Sequence, residues 1–325
     1  VTASADERRI DVVVPTYRRP DLLRRCLAAL SEQHLPAQRV VVVVRADDEP
    51  SRRVVGEFDS VVEVVTSEPN LVAALRAGVA ATTAPLIAIT DDDTRPCADW
   101  LERIVDAFAD PTVGCVGGRA MSALPARPDV PVGRINRFGR IVGNHDVGTG
   151  PRRSVDVVIG ANMAFRADAL VLPRSGVLLG TGAEPHNEVL ITAWVRRFGY
   201  RVVYDPAIIV DHRRADTVLP RDDLAHARET VEWTFANAHN WFVGVTALGE
   251  RSRVAVLAYG LGVGMRGSPG LVRAVFALLR GERDVLRRVP ASMRGQWAGF
   301  RRARQRVAEH VVSAAALRAE GAGRA

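Results

Sequence analysis

Apolar positions in this chain alternate between two kinds of run. Mostly apolar, largely β-branched stretches recur at residues 10–14, 40–44, 61–65 and 86–90, interrupted only by Asp11 and Glu63 and ending in Thr90. Runs without polar alternation fit strands covered on both faces, as in a parallel sheet. Between them the apolar spacing turns helical. Pro20 suits a first helical position, and Leu22, Leu23, Leu27 and Leu30 mark one face of a helix. A second helix is expected over residues 71–81. The alternation predicts an α/β fold, a mostly parallel sheet with flanking helices. Ligands of such sheets bind outside the carboxyl ends of the strands, where Thr16, Arg18, Asp47, Asn70 and Asp91-Asp92-Asp93 all fall.

Farther along, the pattern loosens. Residues 119–154 are rich in Gly, Pro and Arg with little periodicity, and their length predicts an active-site loop closing over donor or acceptor, against a plain surface insertion. Gly160-Ala161-Asn162 is expected to return to the sheet, and Asp211-His212 to follow a strand over 207–210. Residues 254–265 form a 12-residue uncharged run, short of the ~20 that span a bilayer. Residues 271–279 and 285–297 read as amphipathic helices with Arg flanks, and Trp297 and Phe300 lie near one end. The expected organisation is a disordered start over 1–7, an α/β domain over 8–214 and a basic helical region over 215–325.

Candidate chemistry centres on the Asp triplet. Adjacent carboxylates at a strand end repel one another unless a cation neutralises them. Hard divalent cations bind one or two carboxylates together with phosphate oxygens. A solvated acidic turn is the plain alternative. A dinucleotide-binding oxidoreductase needs a glycine fingerprint after the first strand, where this chain has Pro15-Thr16-Tyr17-Arg18. No phosphate-binding Walker loop is present, and the chain has no lysine.

The motifs Val12-Val13-Val14-Pro15-Thr16-Tyr17-Arg18-Arg19-Pro20 and Ile89-Thr90-Asp91-Asp92-Asp93-Thr94-Arg95-Pro96 resemble glycosyltransferase family 2. Gly160-Ala161-Asn162-Met163-Ala164-Phe165-Arg166 and the stretch from Arg196 to Pro206 extend the resemblance to about residues 8–214. It implies the GT-A fold of nucleotide-diphospho-sugar transferases and an inverting, metal-dependent transfer of a sugar from a nucleotide-sugar donor. Asp91 and Asp93 would carry the Asp-x-Asp role toward Mn²⁺ or Mg²⁺, with Asp92 less suited as a direct ligand. His212 stands where several family members complete the metal shell, although a strand-end His also serves as a structural hydrogen bonder. Donor contacts would come from Pro15, Thr16, Tyr17, Arg18, Asp47 or Asp48, Asn70, Arg76, Asp91 and Asp92. Acceptor contacts would involve Asn162 and His186; His145 reads as structural. Counting back from Gly199-Tyr200 makes Glu188 the base candidate, with Glu184 its rival and a helix-start acid its plain alternative. Leu190 departs from the pattern, which carries a second acid there. The Gln-x-x-Arg-Trp pattern of processive synthases is missing, which favours transfer of one sugar residue.

Charge separates the tail from the rest. Residues 1–212 hold 25 Arg against 27 acidic residues, and residues 251–325 hold 15 Arg against 4. The tail is expected either to contact an anionic membrane peripherally, suiting a lipid-linked or envelope acceptor, or to pack on the catalytic domain or a second copy in a homodimer. Nucleic-acid binding is disfavoured by sparse aromatic interleaving. Cys26, Cys97 and Cys115, odd in number and without metal-type spacing, point to reduced thiols and the cytoplasm, with membrane contact on the inner face. Rich in Arg, Ala and Val without Lys, the composition points to a GC-rich bacterial genome. A nucleotidyltransferase of similar sheet, and a non-catalytic scaffold, remain the rival functions.

Overall fold

A computed structural model describes residues 8–180, 182–212, 230–265, 267–305 and 307–323. The expected disordered start and the domain boundary at 214/215 lie outside the described residues. Along the chain come β1 (Ile10–Pro15), α1 (Pro20–Ser31), β2 (Arg39–Arg45), α2 (Glu49–Val55), β3 (Val61–Thr66), α3 (Leu71–Ala80) and β4 (Leu86–Thr90). Then follow β5 (Arg95–Pro96), α4 (Trp100–Ala107), β6 (Val113–Met121), β7 (Arg134–Ile135), β8 (Ile141–Val142), β9 (Arg153–Ser154), β10 (Asn162–Arg166), β11 (Val171–Pro173), α5 (Asn187–Arg197) and β12 (Arg201–Asp211). The C-terminal part supplies α6 (Val231–Thr246), α7 (Arg253–Gly262), α8 (Leu271–Arg280), α9 (Arg283–Arg302), β13 (Val311–Ser313) and α10 (Ala314–Ala322).

Nine strands form the central sheet in the order β3-β2-β1-β4-β10-β6-β12-β5, with β9 added beside β12. Pairs among β1, β2, β3 and β4 are parallel, while β10 runs antiparallel to both β4 and β6. Because strand side chains alternate between faces, Val12, Val14 and Val42 enter one core with Leu23, Leu27, Trp100 and Ile104. Val13, Val41, Ile87 and Ile89 enter the other with Leu75, Val79, Ile191 and Phe165. Both faces are covered, which is why the strand sequences need no polar alternation. The third run is the exception. β3 is an edge strand, and Val62 and Val65 are exposed, against the expectation of a buried strand. A valine run is compatible with an edge because composition encodes β preference, not place in the sheet.

Residues 119–154 are not a free loop. β7 and β8 pair with each other, and Trp241 Nε1 on α6 donates to Gly139 O at 2.8 Å. Arg251 donates to Ile135 O and Asn136 O, and Tyr204 OH donates to Gly148 O. Those anchors lie 56 to 116 positions downstream, so no local periodicity announces them. His145 is structural as expected, its Nε2 3.0 Å from Val157 O.

The C-terminal segment packs back on the sheet domain. α9 lies against α6, where Gly295 and Gly299 allow close approach to Phe235 O and His239 O. β13 pairs with β11, and Arg318 on α10 donates to Thr82 Oγ1 and Ala84 O. Among the described residues no helix is long and apolar enough to cross a membrane.

Candidate active site

The Asp triplet begins immediately after β4. Thr94 N and Thr94 Oγ1 both donate to Asp91 O, closing a turn, and Thr90 Oγ1 donates to Ala161 O on the neighbouring chain segment. The turn leads into β5, whose antiparallel register sets Asp211 opposite Arg95. That register brings the next residue, His212, to the triplet. His212 Nε2 lies 3.3 Å from Asp93 Oδ1, and ligand atoms of Asp91, Asp93 and His212 all lie within 4.8 Å of one another.

The three carboxylates have different partners. Asp92 is buried, receiving Thr16 Oγ1–H at 2.7 Å on one oxygen and Arg19 Nη1–H at 3.1 Å on the other. Both oxygens are therefore occupied by β1's end and α1's start. The Asp92 carboxylate and the Thr16 hydroxyl, both expected to contact donor, thus bond each other here. Arg19 also stands 3.5 Å from Asp93. Local spacing gives Arg19 no role; its place in an adjacent Arg pair was the available signal. Burial, with Asp93 nearby, pushes Asp91 up to about 7, and burial pushes Asp92 up to about 6 against the pull of Arg19. Burial also acts to raise Asp93, but hydrogen bonding and charge from His212, then Arg19, hold it below the usual carboxylate range. Asp93 Oδ1 is buried and faces the His212 imidazole. Two carboxylates and an imidazole converging on such an atom fit a divalent cation.

Glu188 lies in the first turn of α5 and is half-buried. Burial, reinforced by the charge of Asp91, raises its carboxyl to about 7. A carboxylate near neutrality is matched to proton abstraction. Leu190, two positions on, is fully buried in a cluster with Trp194, Val243 and Ala247. Its apolar identity follows from the α6 helix that covers it.

Several expected contacts are engaged elsewhere. Glu184 Oε2 accepts from Val72 N at 2.7 Å, and Asn70 Oδ1 accepts from Ala73 N at 2.7 Å. Both side chains satisfy amides at the start of α3 that have no partner within the helix. Burial raises Glu184 to about 7 despite that bond. Glu184, the rival base, and Asn70, an expected donor contact, are thus both engaged at the start of α3. Asn162, an expected acceptor contact, is fully buried, donating to Arg119 O and Ile208 O and accepting from Trp100 Nε1. Arg76 donates to Ser175 Oγ. His186 caps α5 in a left-handed backbone conformation (φ 66°). Its imidazole is bonded to Asn237, whose Nδ2 donates to Ser268 Oγ, and burial lowers it to about 4, leaving it neutral.

At the ends of β1 and β2, Tyr17 is exposed with the Arg18 and Arg45 guanidiniums 5.0 and 4.7 Å from its ring, and its OH donates to Asp47. Asp48 is buried, accepting from Arg18 N and capping α2 at Ser51 N. Of the two adjacent acids, Asp47 alone is open to solvent. Pro15 ends β1 in register with Val43.

The sheet with its inserted antiparallel strand and the acidic turn after β4 belong to the GT-A class. The crystal structure of GalNAc-T7 with UDP, GalNAc and Mn²⁺ is similar in fold, with a TM-score of 0.51 at 13% identity, covering 63% of this chain and 44% of that one. Residues 11–171 match the family described as Glycosyl transferase family 2. A pre-mycofactocin glycosyltransferase of Mycobacterium tuberculosis is 27% identical over 217 residues, 63% of this chain and 43% of the relative. The glucosyl-dolichyl phosphate glucuronosyltransferase of Haloferax volcanii is 26% identical over 219 residues, 63% of this chain and 69% of the relative. The chain thus spans under half the length of the mycobacterial relative.

Proposed function

We propose that the chain is an inverting, metal-dependent glycosyltransferase that moves one sugar from a nucleotide-diphosphate sugar to an acceptor hydroxyl. The observation that carries this reading is the convergence of Asp91, Asp93 and His212 beside the α5 start that bears Glu188. Asp91, Asp93 and His212 would hold Mn²⁺ or Mg²⁺, which when bound would supply positive charge for the departing diphosphate, and the imidazole favours Mn²⁺. Arg19 holds Asp92 and Asp93 apart in charge and keeps the turn in shape. Tyr17, Arg18 and Asp47 receive the base and ribose, as the exposed polar group at the ends of β1 and β2. Glu188 takes the proton of the acceptor hydroxyl. The oxygen then bonds the anomeric carbon opposite the leaving group, whose bond to that carbon breaks with its electrons passing to the diphosphate.

The haloarchaeal relative, a glucosyl-dolichyl phosphate glucuronosyltransferase, supports an acceptor that is a lipid-linked or envelope glycan. Reduced Cys26, Cys97 and Cys115 agree with a cytoplasmic place, on the inner membrane face. The test is thermal stability against UDP-, GDP- and dTDP-sugars with and without Mn²⁺. A folded-state ligand raises the melting temperature by mass action. A metal-dependent shift with one nucleotide supports the donor assignment and names the base; no shift with any of them overturns it.

A further inference from the structure

Six of the ten residues of α8 are large, apolar and exposed: Leu271, Val272, Val275, Phe276, Leu278 and Leu279, at 48–76%. At 100° per residue they form one arc of about 160°. Only Ala277 of this helix is buried, and Ala274 lies beside it on the inner side. Single exposed apolar residues are ordinary, but a continuous face of this kind marks a contact surface. Gly270 and Gly281 bound the helix, so the apolar face ends at both turns.

Charge identifies the partner. Arg273 and Arg280 rim the arc, Arg280 lying 6.0 Å from the Phe276 ring, and Arg283 and Arg287 are exposed on the following helix. Residues 251–325 carry 15 Arg against 4 acids. Two copies meeting through this face would bring like charges together, whereas an anionic lipid surface complements them. The helix is also far too short to span a bilayer. We infer that α8 lies flat in the headgroup region of an anionic bilayer, its apolar arc inserted and its arginines against lipid phosphates. The inference deepens the proposed membrane-linked acceptor and rests on that reading for its purpose, although its test needs no substrate.

The test is cosedimentation of the full chain with vesicles of phosphatidylcholine alone or mixed with phosphatidylglycerol. Binding is expected to the mixed vesicles and to weaken as salt rises. Leu278→Asp with Leu279→Asp should weaken it at least about tenfold, with the melting temperature unchanged because both side chains are exposed. Arg273→Glu or Arg280→Glu should each weaken it by roughly fivefold or more. Absence of binding to mixed vesicles, or equal binding by all variants, overturns the proposal. So does a dimer in sedimentation velocity that the double Asp variant dissociates while vesicle binding is absent. The nucleotide-sugar shift measured on the same samples keeps the two readings apart: vesicle binding without it leaves docking standing and removes the transferase.

Discussion

Glu188 and Glu184 lie four residues apart, and burial raises both to about 7, yet their surroundings assign them different work. Glu184 is held by an α3 amide, while Glu188 feels Asp91. Glu188→Gln should lower turnover by about 10²- to 10⁴-fold and leave donor affinity intact; kinetics and a nucleotide-binding titration check this. Because the base must be deprotonated, the wild-type rate should fall as pH drops through about 7, and a pH–rate profile reads that limb. Glu184 gives a stability signature instead. Its folded pKa, about 7, exceeds its ordinary 4.5, so the stability it contributes is full below 4.5 and lost as pH rises through 7. Glu184→Gln should flatten that part of a urea-unfolding series and keep transfer. Asp93→Ala should abolish metal-dependent donor binding, measured with Mn²⁺ by calorimetry.

At the scale of elements, the site depends on how closely α3 meets the sheet. A Cβ at Gly78 would stand 2.5 Å from Val13 Cγ1 and 2.9 Å from Val43 Cγ2, both side chains of the buried strands that end at the site. Gly78→Ala should therefore cost about 1–3 kcal/mol in chemical unfolding, despite alanine's better helix propensity. The α3 start is capped from the segment before α5, so the donor-side and base-side elements share one joint. Their alternation was readable from sequence. The capping partners were not, since Glu184 and Val72 are separated by 112 positions.

Across the whole molecule, the tail acts as a clasp. β13 and α10 add buried Val312, Ala314 and Leu317 to the core built by β1, β4 and α3. Truncation after Gln305 should lower unfolding free energy by at least about 3 kcal/mol, checked by urea titration. α8 contributes little to that core, which is why its substitutions separate surface binding from folding.

The chain's own pattern determined the four strands of the first ninety residues and the helices α1 and α3, though not α2, and put the Asp triplet at a strand end. Backbone periodicity is local, so it is legible without partners. Only the tertiary structure decided what each carboxylate does. Asp92 turns to Thr16 and Arg19, more than seventy positions away, while Asp93 meets His212 through the pairing of β5 with β12. Asn162 looked like an acceptor contact and became an interior hydrogen-bond hub because strand order put it between β4 and β6. Side-chain partners depend on strand order and register between distant segments, and those distances leave no trace in local spacing.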